Sequence, residues 1–187
     1  MSKLAHKNNL RQHYLEEVRP KLQKELGIKN IMAVPELKKI LIHVGIGNIM
    51  TKGNKDYESV LKNIELIAGQ KPVVTKAKKA ISNFKTREGM PVGIVATLRG
   101  ERMYDFFNKF INIVLPRVRD FRGLGKKGFD QKGNFSIGLT EQTVFPEINV
   151  DDIVKLHGLQ ITFCSSSKNK EQGMALLKEF KFPFKKD

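Results

Sequence analysis

Eight basic side chains fall between residues 71 and 102: Lys71, Lys76, Lys78, Lys79, Lys85, Arg87, Arg99 and Arg102. Two acids, Glu88 and Glu101, oppose them. Ammonium and guanidinium groups at this density bind phosphate, as point charges and as planar forks respectively. They are not a solvated tail, because apolar residues recur between them. Val92, Ile94, Ala96 and Leu98 alternate with Gly93, Val95, Thr97 and Arg99, the period of a strand with one buried face. A folded element that places Lys and Arg at its exposed positions is suited to a polyanion.

Other chemistry is weaker. The segment Gly45-Ile46-Gly47-Asn48-Ile49-Met50 opens like a dinucleotide fingerprint, but Met50 stands where the third glycine belongs, and a loop rather than an immediate helix is expected after it. No phosphate-binding GxxxxGK[ST], HExxH or paired-cysteine spacing occurs, so no cofactor or metal is expected. His6, His13, His43 and His157 lack carboxylates at ligand spacing, and His43 reads as a solvated or RNA-facing group on a strand. Adjacent acids point apart, so Asp151 and Asp152 read as helix-capping residues rather than a catalytic pair. Cys164, without a basic flank, reads as structural. No acid, base and nucleophile assemble, so an enzyme is not expected.

Composition agrees. The 187 residues carry a net charge of +15, and their 40% apolar content is enough for a core, so one domain, or one with extensions, is expected. No apolar run approaches the roughly 18 residues of a membrane span. The N-terminus has no apolar stretch of the secretory kind, and one cysteine makes no internal disulfide; both predict a cytoplasmic protein. Among nucleic acid, an anionic membrane and an acidic partner, nucleic acid leads as the expected partner class.

The elements that must position these groups follow from periodicity. Leu15, Val18, Leu22 and Leu26 share a helical face, with Pro20 predicting a frayed lead-in and then a short helix closed by Gly27. Ile40, Ile42, Val44 and Ile46 alternate as a half-buried strand, leaving Lys39 and His43 outward. A polar loop follows over 51–55. Tyr57, Val60, Leu61, Ile64 and Ile67 mark a helix ended at Gly69. A hairpin is expected next, 82–87 pairing with 92–99 through the turn Glu88-Gly89-Met90-Pro91, and Lys76 to Ala80 lie upstream as a basic loop or single helical turn. Met103, Phe106, Phe107, Phe110 and Val114 give an amphipathic helix stopped by Pro116, its phenylalanines reading as core. Residues 117–133 combine Arg117, Arg119, Arg122, Lys126 and Lys127 with four glycines, which predicts a mobile basic loop. Strands are expected over 135–139 and 159–164, and Asn169 with Gln172 resembles a capping box opening a last helix before Pro183. The order β-α-β-β-α-β, with extra terminal helices, predicts an α+β fold: a largely antiparallel sheet with helices on one face and a polar face left free.

Four stretches, GQKPVVTKAKKAISNFKTREGMPVG, ATLRGERMYDFF, LPRVRDFRGL and GNFSIGLTEQTVFPEI, closely resemble the bacterial-type large-subunit ribosomal protein five family, from about residue 14 to 184. The resemblance implies a non-enzymatic role: binding 5S rRNA and docking it onto 23S rRNA in the central protuberance. It also implies a loop that reaches peptidyl-site tRNA, and contacts with neighbouring ribosomal proteins, including one in the small-subunit head. Carried onto this chain, the 5S contacts fall on His43, Gln70, Arg87 and Thr97, and the tRNA-facing loop on 75–84 with Thr75, Lys76, Lys78 and Lys79. At His43 the family commonly has Asn. A basic arm of about residues 1–13 precedes the matched region. An RNA-processing enzyme or a free RNA chaperone using the same basic face is the alternative reading.

Overall fold

A computed structural model describes residues 10–51, 57–149 and 156–185. The arm residues before Leu10, including His6, most of the 51–55 loop, and Asp151 and Asp152 lie outside the described residues. The fold is α+β, with five strands in one antiparallel sheet. These are β1 Leu37–Gly45, β2 Val73–Lys76, β3 Pro91–Leu98, β4 Phe135–Leu139 and β5 Leu159–Ser165, in the order β2-β3-β1-β5-β4. The chain divides into two compact units, one of residues up to Ile40 with Leu98–Ile137 and from Thr162 on, the other of Leu41–Thr97 with Gly138–Ile161.

The first unit is built on phenylalanine. Phe107, Phe110, Phe135, Phe163, Phe180 and Phe182 are buried. Phe107 meets Phe163 edge-on at 5.5 Å and stacks on Phe182 at 5.9 Å, offset arrangements that aromatic quadrupoles favour. The core role expected for Phe106, Phe107 and Phe110 holds. Two prolines sit within helices, and the first behaves differently from expectation. The first helix does not fray before Pro20; it is continuous from Leu10–His13 through a wide turn at Tyr14–Val18 into Arg19–Glu25. Pro116 does stop its helix, one residue on: the helix passes from Gly100–Lys109 through a wide turn at Phe110–Val114 into Leu115–Arg117 and ends there. In both, the residue before proline bonds five residues back, Arg19 N–H to Tyr14 O and Leu115 N–H to Phe110 O. Widening the turn gives the proline ring room within the helix.

The stretch 117–133 is also more ordered than its glycines imply. Leu124 and Phe129 are buried. Leu124 exchanges backbone bonds with the tail, its N–H donating to Pro183 O at 2.9 Å and its O accepting from Lys185 N–H at 3.0 Å. Asp130 closes the far end, accepting from Asn134 N–H at 2.7 Å. A Cβ on Gly173, in the last helix Lys170–Glu179, would collide with the Gly133 backbone, so that glycine marks close packing. The expected capping box does not form: Asn169, at the N-cap, makes no side-chain capping bond, and Gln172 Oε1 accepts instead from the N–H of Lys168, one residue before the cap, at 3.1 Å.

In the second unit, β1 keeps the predicted alternation, with Ile42 and Val44 buried and His43 and Gly45 exposed. The helix Glu58–Ala68 buries Val60, Ile64 and Ile67 and ends at Gly69 in the left-handed conformation (φ 61°), as predicted. The GxG segment does enter a helix, Gly47–Thr51, but one of five residues anchored by buried Ile49. His157 is 8% exposed and neither ring nitrogen makes a hydrogen bond of standard geometry. Burial pushes its pKa down, offset only in part by the Gly158 backbone. The unfolded chain therefore takes up this proton first, so stability present above about pH 6.5 is lost as the pH falls. Urea unfolding at about pH 7.5 and about pH 5.5 should show a smaller acid loss for His157→Leu than for the unaltered chain; an equal loss would assign the slope to other groups.

Candidate nucleic-acid interface

The basic stretch folds as a hairpin whose first arm is not the one expected. Residues 82–87 do not form a strand; Ser82–Phe84 is a 3₁₀ turn followed by Lys85 at φ 51°. The partner of β3 is β2, with Val73 opposite Val95, Val74 opposite Ile94 and Thr75 opposite Gly93. Val73, Val74 and Thr75 are β-branched and suit a pleated surface; Lys85, held left-handed, interrupts the other segment. The register slips after Thr75, so that Lys76 faces Pro91, which has no N–H to offer.

Beyond β2 the chain leaves the sheet as a necked loop. Ala77 N–H donates to Met90 O at 2.8 Å and Gly89 N–H donates to Ala77 O at 3.0 Å. Met90 N–H closes a turn onto Arg87 O at 3.1 Å with Gly89 at φ 79°, a conformation glycine supplies without strain. Further out, Ile81 and Thr86 exchange both backbone bonds, at 3.0 and 3.1 Å, forming a tight tip. Lys76, Lys78, Lys79, Lys85 and Arg87 are all exposed on this loop. So is Phe84, at 72%. The sequence reading overlooks Phe84, because the strand expected over 82–87 gives it a face to join.

The resemblance-derived residues are partly brought together. Gln70 Nε2 donates to Thr97 O at 3.1 Å, tying the end of a helix–strand link to β3. His43 lies on the outward face of β1 and Thr97 is half buried on β3. Thr75, on β2, and His43 flank Gly93: a Cβ there would stand 2.8 Å from Thr75 Oγ1 and 3.0 Å from His43 Nε2. Arg87 is apart from these, on the returning limb of the loop. In the other unit Arg117, Arg119, Arg122 and Lys127 are exposed and Lys126 is half buried.

Catalytic chemistry gains nothing. His13 Nδ1 does approach Glu17 Oε2, at 3.4 Å, one helical turn on, contrary to the sequence expectation. No group of three or more candidate metal ligands assembles among the described residues. Burial pushes the Cys164 thiol up, away from thiolate character, with Lys39 and Arg99 opposing only in part. Among the described residues no helix is long and apolar enough to cross a membrane.

Comparison with known proteins identifies the family. The family description "Ribosomal protein L5" matches residues 30–87, and the description of the same family's C-terminus matches 91–184. The large ribosomal subunit protein uL5 of Desulfatibacillum aliphaticivorans is 52% identical over 96% of this chain and 99% of its own length. That of Thermosipho africanus is 53% identical over 95% of this chain and 97% of its own, and that of Fusobacterium nucleatum 53% over 92% and 94%. Identity at this level over nearly the whole length carries fold and role together, so a structural protein, not an enzyme, and a ribosomal, cytoplasmic location are indicated. The chain belongs to the ribosomal protein L5 family and is a structural constituent of the large ribosomal subunit.

Proposed function

We propose that the second unit binds 5S rRNA through the outward face of β1 and β3 together with Arg87 on the returning limb of the necked loop, and docks it onto 23S rRNA in the central protuberance, while the outgoing limb with Lys76, Lys78 and Lys79 contacts peptidyl-site tRNA. The exposed residues of 117–133 face rRNA or a protein of the small-subunit head. The observation that carries this reading is the pairing of an outward sheet face that bears His43 and Thr97, with Gln70 tied to it, and a preorganised cationic loop. The sheet displays no paired aromatics, so structured RNA held by charge, shape and hydrogen bonds suits it better than splayed single strands. The loop is different: its necked backbone cuts the entropy of ordering on binding, and Phe84 adds a stacking surface among lysines.

Binding of the isolated protein to 5S rRNA tests this. Affinity should fall steeply with salt, each neutralised phosphate adding about −0.7 to −0.9 to the log–log slope. Arg87→Ala should weaken binding by roughly 1–3 kcal/mol, the worth of a charge-assisted contact, without changing thermal stability, because Arg87 is exposed. A slope near zero, or full affinity in the Arg87 variant, would count against the assignment.

A further inference from the structure

Gly93 occupies a strand interior, where glycine costs stability and marks a close approach. Two polar side chains make that approach. Thr75 Oγ1 and His43 Nε2 lean over the bare Gly93 backbone from the two neighbouring strands, each within 3.0 Å of the point a Cβ would fill, with Val44 O at 3.4 Å from the same point. Neither side chain hydrogen-bonds within the protein among the described residues. The outward face thus holds a hydroxyl and an imidazole, converging and unengaged. Both are groups that donate and accept; neither is a fixed cation, and the lysines of the loop begin only at Lys76. A phosphate would be served better by those lysines. A ligand hydroxyl, itself donor and acceptor, matches the pair.

Resting on the 5S rRNA reading above, we propose that His43, Thr75 and Gly93 form a neutral notch that receives a ribose 2′-hydroxyl of the bound RNA. Gly93 sets its width. A methyl group there must displace Thr75 Oγ1 and His43 Nε2, which lie 2.8 and 3.0 Å from its position and are side-chain rather than backbone atoms.

The experiment measures 5S rRNA binding across salt for the unaltered protein, Gly93→Ala and Thr75→Val, the last retaining a β-branched strand residue should the glycine variant fold poorly. Each substitution should lower affinity about three- to tenfold, the worth of one neutral hydrogen bond, at an unchanged log–log salt slope. Transcripts carrying scattered 2′-deoxy nucleotides should then reveal a position whose deoxy substitution weakens the unaltered protein but not Thr75→Val. Unaltered affinity in both variants, or no such position, overturns the notch while leaving the 5S assignment standing. A slope shallower by about 0.7–0.9 in the variants also overturns it, since the notch would then hold a phosphate. Failure of the unaltered protein to bind 5S rRNA overturns the functional reading itself, and the notch with it.

Discussion

Replacing Phe182 with alanine is expected to destabilise the protein by about 3–5 kcal/mol, the cost of emptying a buried aromatic site that cannot collapse. Phe182 lies beyond the last helix yet is 4% exposed, with Phe135, Phe163 and Phe184 rings 5.3, 5.4 and 5.3 Å away and Phe107 at 5.9 Å. Its position depends on a helix-ending motif. Lys181 adopts φ 58° where glycine is usual, Lys181 N–H bonds Lys178 O at 2.8 Å and Phe182 N–H bonds Leu177 O at 3.0 Å. A left-handed lysine costs roughly 1–2 kcal/mol, and burial of the following ring offsets that. The same tail holds Leu124 through Pro183 and Lys185, so the truncation should also speed amide exchange at Leu124 and Lys185. Denaturant unfolding measures the first effect, with Phe84→Ala as an exposed control expected to stay within about 0.5 kcal/mol. A loss for Phe182→Ala no larger than the control's would mean that its ring contacts are not a stabilising core.

Periodicity in the chain reported most elements wherever one buried face ran long enough. The helix Glu58–Ala68 with Gly69, the alternation of β1, and the Phe106–Phe107–Phe110 face are all local patterns decided by burial. What stayed illegible depends on partners far along the chain. Val73–Lys76 is four residues long, too short for alternation to outweigh the lysines that follow, although its β-branched run was a usable signal. Pro20 reads as a break because a wide turn leaves no mark in hydrophobic spacing. Leu124 and Phe129 were hidden among glycines and arginines, since their partners include Phe184 and Phe135. Gly133 and Gly173 look like flexibility when counted and prove to be a contact when placed. The site divides in the same way. Exposed charge at Lys76, Lys78, Lys79 and Arg87 follows from composition, whereas the meeting of His43 with Thr75 follows from strand register, which sequence spacing does not encode.

On the proposed assignment, exchanging Lys76, Lys78 and Lys79 together for alanine should separate assembly from use. All three are exposed, and the neck of the loop is made by the backbone of Ala77, Gly89 and Met90, so its shape does not depend on the lysine side chains. Thermal stability should therefore stay within about 0.5 kcal/mol per site. The sheet face with His43, Gln70 and Thr97 is untouched, so 5S rRNA content of assembled subunits should be normal. Peptidyl-site tRNA retention should fall at least about tenfold, because hydrogen bonds to charged groups are worth roughly 1.5–3 kcal/mol each and about 1.4 kcal/mol is a factor of ten. Some loss is recovered where Lys85 and Phe84 remain to hold the tip, which is why the expected figure corresponds to one contact rather than three. The deciding comparison is tRNA retention per complete particle against 5S rRNA per particle. Depleted 5S rRNA with undiminished tRNA retention would place these lysines at the rRNA interface and leave the tRNA contact to other parts of the loop.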